Sequence, residues 1–197
     1  MARYAHVAGA LVLLAASSTA RATVEITGVE GAPADNVRAF LLLDDLACAE
    51  DERAVRREFA DAPGQIRTAL EVFGFYAPTV DANLDLAGEC WAARFAITPG
   101  DPVRVRTRDI AITGPAETDP AFIRAAAQAG LAVGEPLNHG RYDELKRRLS
   151  DFARDRGYAS ARFTQSRIDV FPAELAADIV LRFDSGERYR FGAVTIE

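Results

Sequence analysis

Hydrophobic positions downstream of residue 22 fall into two periodicities that alternate in a fixed order. Val24 to Val29 is a short β-rich run. Asp35 has the chemistry of a helix N-cap, with Val37, Phe40 and Leu41 on one face behind it. Val55, Phe59, Ala62, Ile66, Ala69, Leu70 and Phe73 then recur at spacings of three and four, which predicts a longer helix. Pro63-Gly64 interrupts that pattern and predicts a break or kink, because proline lacks the N–H for the helical bond. Gly74 is placed as the helix stop. Val80, Ala82, Leu84 and Leu86 alternate with Thr79, Asp81, Asn83 and Asp85, the period of a half-buried strand. After a turn at Gly88, Trp91, Ala93, Phe95 and Ile97 mark a second alternating strand. The unit reads β-α-α-β-β.

The same order returns. Val105 to Ile112 is extended, and Asp119-Pro120 opens a helix with Phe122, Ile123, Ala126 and Ala127 expected inside and Gly130 at its end. Tyr142, Leu145, Leu149, Phe152 and Ala153 mark a second helix, stopped at Gly157. Ile179, Leu181 and Phe183 give the last strand. In the strand before it, Phe163 and Ile168 lie in opposite alternation phases, which a bulge or a register difference explains equally well.

The landmarks themselves repeat, about 85 residues apart. Ile26-Thr27-Gly28 recurs as Ile112-Thr113-Gly114, and Gly74-Phe75-Tyr76-Ala77 as Gly157-Tyr158-Ala159-Ser160. Phe95-Ala96-Ile97-Thr98-Pro99-Gly100 recurs as Leu181 through Gly186. So long a period indicates two copies of a small domain, 23–103 and 104–191, and not a solenoid. By the same logic 192–197 reads as the first strand of a third, truncated unit.

The N-terminus has a separate character. Arg3 precedes an apolar run from Val7 to Ala16, and Ala20-Arg21-Ala22 has the small-x-small pattern of a cleavage site. Residues 1–22 are therefore read as a secretory signal peptide. A membrane anchor needs about 20 apolar residues, roughly twice this run. The chain of 197 residues carries a net charge of −6, and loss of Arg3 and Arg21 with the signal leaves −8 on the remainder. The only basic cluster, Lys146-Arg147-Arg148, reads as a solvated helix face, so nucleic acid is not an expected partner.

In an exported chain the two cysteines, Cys48 and Cys90, are most simply one disulfide. It closes a loop worth about 4 kcal/mol on the chain-entropy account. His139 is the one histidine downstream of the signal and reads as structural. Two distant cysteines and one histidine have no metal-ligand spacing, no phosphate-cradling glycine loop occurs, and the carboxylates fall in loops or on a polar strand face. No catalytic, cofactor or metal residues are assigned, and the chain is read as non-enzymatic. Trp91, Phe73 and Phe75 are read as core aromatics.

The runs Ala69-Leu70-Glu71-Val72-Phe73-Gly74-Phe75-Tyr76-Ala77-Pro78-Thr79-Val80 and Ile97-Thr98-Pro99-Gly100-Asp101-Pro102-Val103, with the duplication and the export signal, resemble tandem POTRA domains of the Omp85 superfamily, in its TamA-like branch. The resemblance implies an α+β fold of two tandem β-α-α-β-β domains, each a three-stranded sheet covered by two helices. It also implies a third POTRA domain and a C-terminal β-barrel, hence a periplasmic location attached to the outer membrane. The implied role is that of an arm that binds clients and partners during outer-membrane protein and autotransporter assembly. Its partners would be a TamB-like protein and unfolded outer-membrane clients, with no cofactor. An exposed strand edge accepts an extended client by main-chain pairing. The resemblance puts such edges at 79–86, with Thr79, Val80, Asp81, Ala82, Asn83 and Leu84 as contact residues, and at 162–170. The alternatives are the POTRA region of a BamA-like or two-partner secretion transporter, and a purely structural spacer.

Overall fold

A computed structural model describes residues 21–190 and residue 192. Most of the expected signal peptide and of the expected third-unit strand lies outside the described residues. The fold is α+β, with two three-stranded sheets and four α-helices in two successive β-α-α-β-β units.

The first unit comprises β1 (Thr23–Thr27), α1 (Ala32–Phe40), α2 (Glu52–Glu71), β2 (Thr79–Asp85) and β3 (Ala92–Thr98). β3 is central: β1 pairs with it in parallel and β2 antiparallel. The chemistry of connection requires this arrangement. A short turn joins β2 to β3 as a hairpin, whereas the parallel pair needs a long crossover, which α1 and α2 supply. The inward row Ala93, Phe95 and Ile97 meets Val55, Ala62, Ile66, Ala69 and Leu70 of α2 and Val37 of α1 in one buried cluster. Trp91, 5% exposed, closes its end.

Two local expectations change here. Asp35 is not the cap: Gly31, with φ 61°, stands at that position, and the Asp35 amide already bonds Gly31 O at 3.0 Å. Asp35 instead sits in the first turn, where its charge favours the helix dipole. Secondly, α2 runs unbroken through Pro63. Proline removes one backbone bond, but Ala62 and Ile66 on either side of Pro63-Gly64 are fully buried, and that packing holds the helix together.

The second unit comprises β4 (Arg104–Thr113), α3 (Pro120–Ala127), α4 (His139–Asp155), β5 (Arg162–Phe171) and β6 (Ala176–Asp184), with β6 central. Asp119 caps α3 through its side chain to the Ala121 amide. The inner face of α3 is Ala121, Phe122 and Ala125, while Ile123 is 49% exposed. The expected face Phe122/Ile123/Ala126/Ala127 is thus rotated, because in an alanine-rich turn the apolar pattern alone does not fix the phase. Gly130 lies beyond the helix end and not at it. The β5 phase conflict resolves as a bulge: Phe163 faces Phe183 but Gln165 faces Arg182, so Thr164 is extra. Both Phe163 and Ile168 then pack on the same core as Phe122, Leu145, Leu149 and Phe183.

Candidate functional site

With β3 and β6 central, β1, β2, β4 and β5 are sheet edges. They are not equally open. β1 has only five residues. The start of β4 is covered by the segment after α3: Val105 N–H donates to Glu135 O at 2.9 Å, Gly134 N–H to Val105 O at 2.8 Å, and Leu137 N–H to Val103 O at 2.8 Å. A further irregularity at Arg106 twists β4 away from regular pairing. β2 and β5 are the antiparallel edges, and among the described residues neither makes a backbone hydrogen bond outside its own sheet. β2 keeps an unbroken register from Thr79↔Thr98 to Asp85↔Ala92, whereas β5 carries its bulge.

On β2, Val80 and Leu84 are half-buried and pack on the first core, and Thr79, Asp81, Ala82 and Asn83 are exposed. Ala82 lies on the inward phase but is too small to reach the core. The hairpin end is fixed by the disulfide Cys48–Cys90, which ties the loop before α2 to the turn before β3. Beside it Trp91 Nε1–H donates to Ala47 O at 3.0 Å. Phe73 and Phe75 are half-buried and line a groove of about 270 Å³ with Pro33, Pro102, Pro136 and Leu137.

That groove lies where the two units meet, and the junction is hydrogen-bonded. Gly74 and Phe75 terminate α2 by paired bonds, Gly74 N–H to Glu71 O (2.9 Å) and Phe75 N–H to Leu70 O (3.2 Å), with Gly74 at φ 88°. The Gly74 carbonyl accepts from Val103 N–H at 2.8 Å. A Cβ at Gly74 would stand 2.8 Å from Leu137 O and 3.1 Å from Val103 O, so only glycine allows this approach. The device recurs in the second unit, where Gly157 (φ 81°) ends α4 and accepts from Tyr189 N–H at 2.7 Å.

His139, the first residue of α4, completes the junction. Its amide donates to Val72 O at 2.9 Å, and its Nε2 lies 2.6 Å from the Tyr76 hydroxyl. Burial pushes the His139 pKa below its ordinary value, partly opposed by Asp143 and Glu71. Burial, aided by the Glu71 charge, raises Tyr76. The sequence offered no sign of this pair; the only relevant signal was the repeated Gly-aromatic step, read there as a helix stop.

Among the described residues, no group of three or more His, Cys, Asp or Glu is placed to hold a metal ion, and no helix is long and apolar enough to cross a membrane. The arrangement presents strand edges and a joined pair of sheets.

Family profiles match both units. Residues 23–99 match "POTRA domain TamA domain 1", and residues 105–186 match the POTRA family described as "Surface antigen variable number repeat". The chain therefore carries two tandem POTRA domains. The first of them matches the TamA form of the domain, the second the general POTRA form. POTRA domains of Omp85 proteins are periplasmic partner-binding modules.

Solved structures similar to the chain include POTRA domains 3–5 of Haemophilus influenzae BamA, at 18% identity over 89% of this chain and 70% of that one, TM-score 0.45. The N-terminal domain of Omp85 from the thermophilic cyanobacterium Thermosynechococcus elongatus is similar at 15% identity over 82% of this chain and 60% of that one, TM-score 0.36. Haemophilus ducreyi BamA lacking POTRA domains 1–3 is similar at 18% identity over 82% of this chain and 28% of that one, TM-score 0.39.

Proposed function

We propose that this chain is the periplasmic client-binding and partner-binding arm of an outer-membrane assembly factor, acting by strand addition at β2. The observation that carries the reading is the β2 edge: seven residues in unbroken register, exposed and unpaired on the outer side. Strand addition satisfies such an edge through main-chain bonds and so tolerates many client sequences, as a handler of diverse β-rich chains requires. β5 offers a second edge, regular from Gln165 to Phe171 beyond its bulge. The two domains are taken as 23–103 and 104–191, with 192–197 opening a third unit that leads towards a C-terminal barrel in the outer membrane. The TamA-type first domain supports autotransporter and outer-membrane protein insertion as the process served, and a TamB-like protein as the partner.

Hydrogen exchange tests the edge. With a labelled unfolded outer-membrane β-strand peptide present, amides of Thr79–Asp85 gain protection while those of Thr23–Thr27 do not. Binding without protection at β2 would move the site elsewhere.

A second reading, a structural spacer that holds a barrel away from its partners, draws on the hydrogen-bonded junction around Gly74 and His139. Under it no client peptide binds, yet variants that loosen the junction still impair assembly.

A further inference from the structure

The edges β2 and β5 differ in how their charges are satisfied. On β5, Arg162 pairs with Asp184 at 2.8 Å and Arg167 with Asp169 at 2.9 Å, so its outward charges are neutralised within the domain. On β2, Asp81 and Asp85 share one face of the sheet, two pleats apart. Their cross-strand neighbours on β3 are Ala96 and Ala92, which offer no cation. The nearest arginine on β3, Arg94, stands opposite Asn83 and is engaged by Glu25 of β1 at 2.6 Å. Asp85 accepts the Ala87 N–H at 2.9 Å, a turn contact that leaves its charge in place. Among the described residues, neither Asp81 nor Asp85 forms an ion pair. The open side of β2 is therefore where a counter-charge fits. On the inward phase of the same strand, half-buried Val80 and Leu84 flank exposed Ala82, leaving a shallow apolar step beside which a neighbouring strand buries its own alternate side chains.

From this we infer that β2 selects extended segments in which lysine or arginine alternates with apolar residues, the basic positions lying beside Asp81 and Asp85. The inference rests on the strand-addition reading and adds the partner's chemistry to it. Opposite charges on adjacent strands attract across the pair, while like charges repel, so an acidic alternating segment is rejected by the same two carboxylates. Removing one carboxylate is expected to weaken a basic segment about two- to fivefold.

The test uses the full chain and three fluorescent peptides of equal length: valine alternating with lysine, with threonine and with glutamate. Fluorescence anisotropy gives their affinities for wild type, for Asp81→Asn/Asp85→Asn, and for Glu117→Gln/Asp155→Asn. The last variant removes two exposed carboxylates far from β2 and changes the net charge equally. The expected order is lysine over threonine over glutamate in wild type. It flattens in Asp81→Asn/Asp85→Asn and at about 0.5 M salt, where charges are screened within a few ångströms, and persists in Glu117→Gln/Asp155→Asn. An order that survives loss of Asp81 and Asp85, or that both variants flatten alike, overturns the inference in favour of overall net charge. Equal binding of all three peptides overturns it while leaving strand addition standing. If none of the three binds, the strand-addition reading itself falls, and this inference with it.

Discussion

The Tyr76 hydroxyl lies 2.6 Å from Nε2 of His139, joining residues 63 positions apart and on opposite sides of the junction between the two sheets. It reinforces two backbone bonds, His139 N–H to Val72 O and Val103 N–H to Gly74 O. The second POTRA domain thus starts its long helix directly on the end of the first domain's long helix. Tyr76→Phe keeps the ring and deletes the hydroxyl, leaving the half-buried imidazole nitrogen to find water. One such bond is worth about 1 kcal/mol. The expected result is a small loss of stability in denaturant unfolding, with larger relative motion of the two domains by residual dipolar couplings. Unchanged couplings would show that the backbone bonds alone set the angle.

The same pair makes the junction respond to pH. His139 titrates below its ordinary 6.5, mainly because burial disfavours the charged ring, with Asp143 and Glu71 facing it and opposing the shift. A base whose folded pKa is depressed binds its proton first in the unfolded chain. Stability is therefore full above about 6.5 and falls as pH drops from there through the lower folded value. An NMR titration of the His139 ring should show a midpoint under 6.5, and His139→Gln should flatten the stability profile over that window. A midpoint at or above 6.5 would mean that Asp143 and Glu71 outweigh burial.

Much of this architecture is legible in the chain because each element is half-buried. Ala93, Phe95 and Ile97, or Tyr142, Leu145 and Leu149, repeat with the period of the surface they cover, and all are buried. The paired Gly-aromatic landmarks gave the duplication. Legibility ends where pattern stops constraining geometry. Around α3 the alanines carry almost no phase information, so Ile123 was expected inside. At Pro63 the local rule favours a break, but buried neighbours one and three residues away decide otherwise. The Tyr76–His139 contact depends on how two finished domains meet, which no periodicity within either domain encodes. The charge contrast between β2 and β5 likewise depends on cross-strand neighbours, visible only once the register pairs Asp81 with Ala96 and Asp85 with Ala92.

The disulfide gives the first domain a stability component that the second lacks. Cys48 and Cys90 are 42 residues apart, and closing a loop of that size restricts the unfolded chain by about 4 kcal/mol. Trp91, the chain's only tryptophan, sits next to Cys90 and donates to Ala47 O, next to Cys48. Its fluorescence therefore reports this corner. Cys48→Ser/Cys90→Ser should lower the denaturant midpoint followed by Trp91 emission. The second-domain transition, followed by exchange at β6 amides, should move little. A shift of equal size in both would show that the junction makes the two domains unfold as one unit.

Pro63 stands inside α2, a twenty-residue helix that the sheet and α1 hold in place. Its ring removes the bond that an N–H at this position would make to the carbonyl of Phe59, and interior proline costs about 3 kcal/mol relative to alanine in an unsupported helix. The packing of Ala62 and Ile66, both fully buried, offsets that cost without restoring the missing bond. Pro63→Ala should therefore stabilise the first domain, by about 1 to 3 kcal/mol less the chain entropy that proline removes from the unfolded state. Urea unfolding of wild type and variant, followed by Trp91, measures the gain. Destabilisation would mean that the half-buried proline ring makes contacts on the helix surface worth more than the missing hydrogen bond.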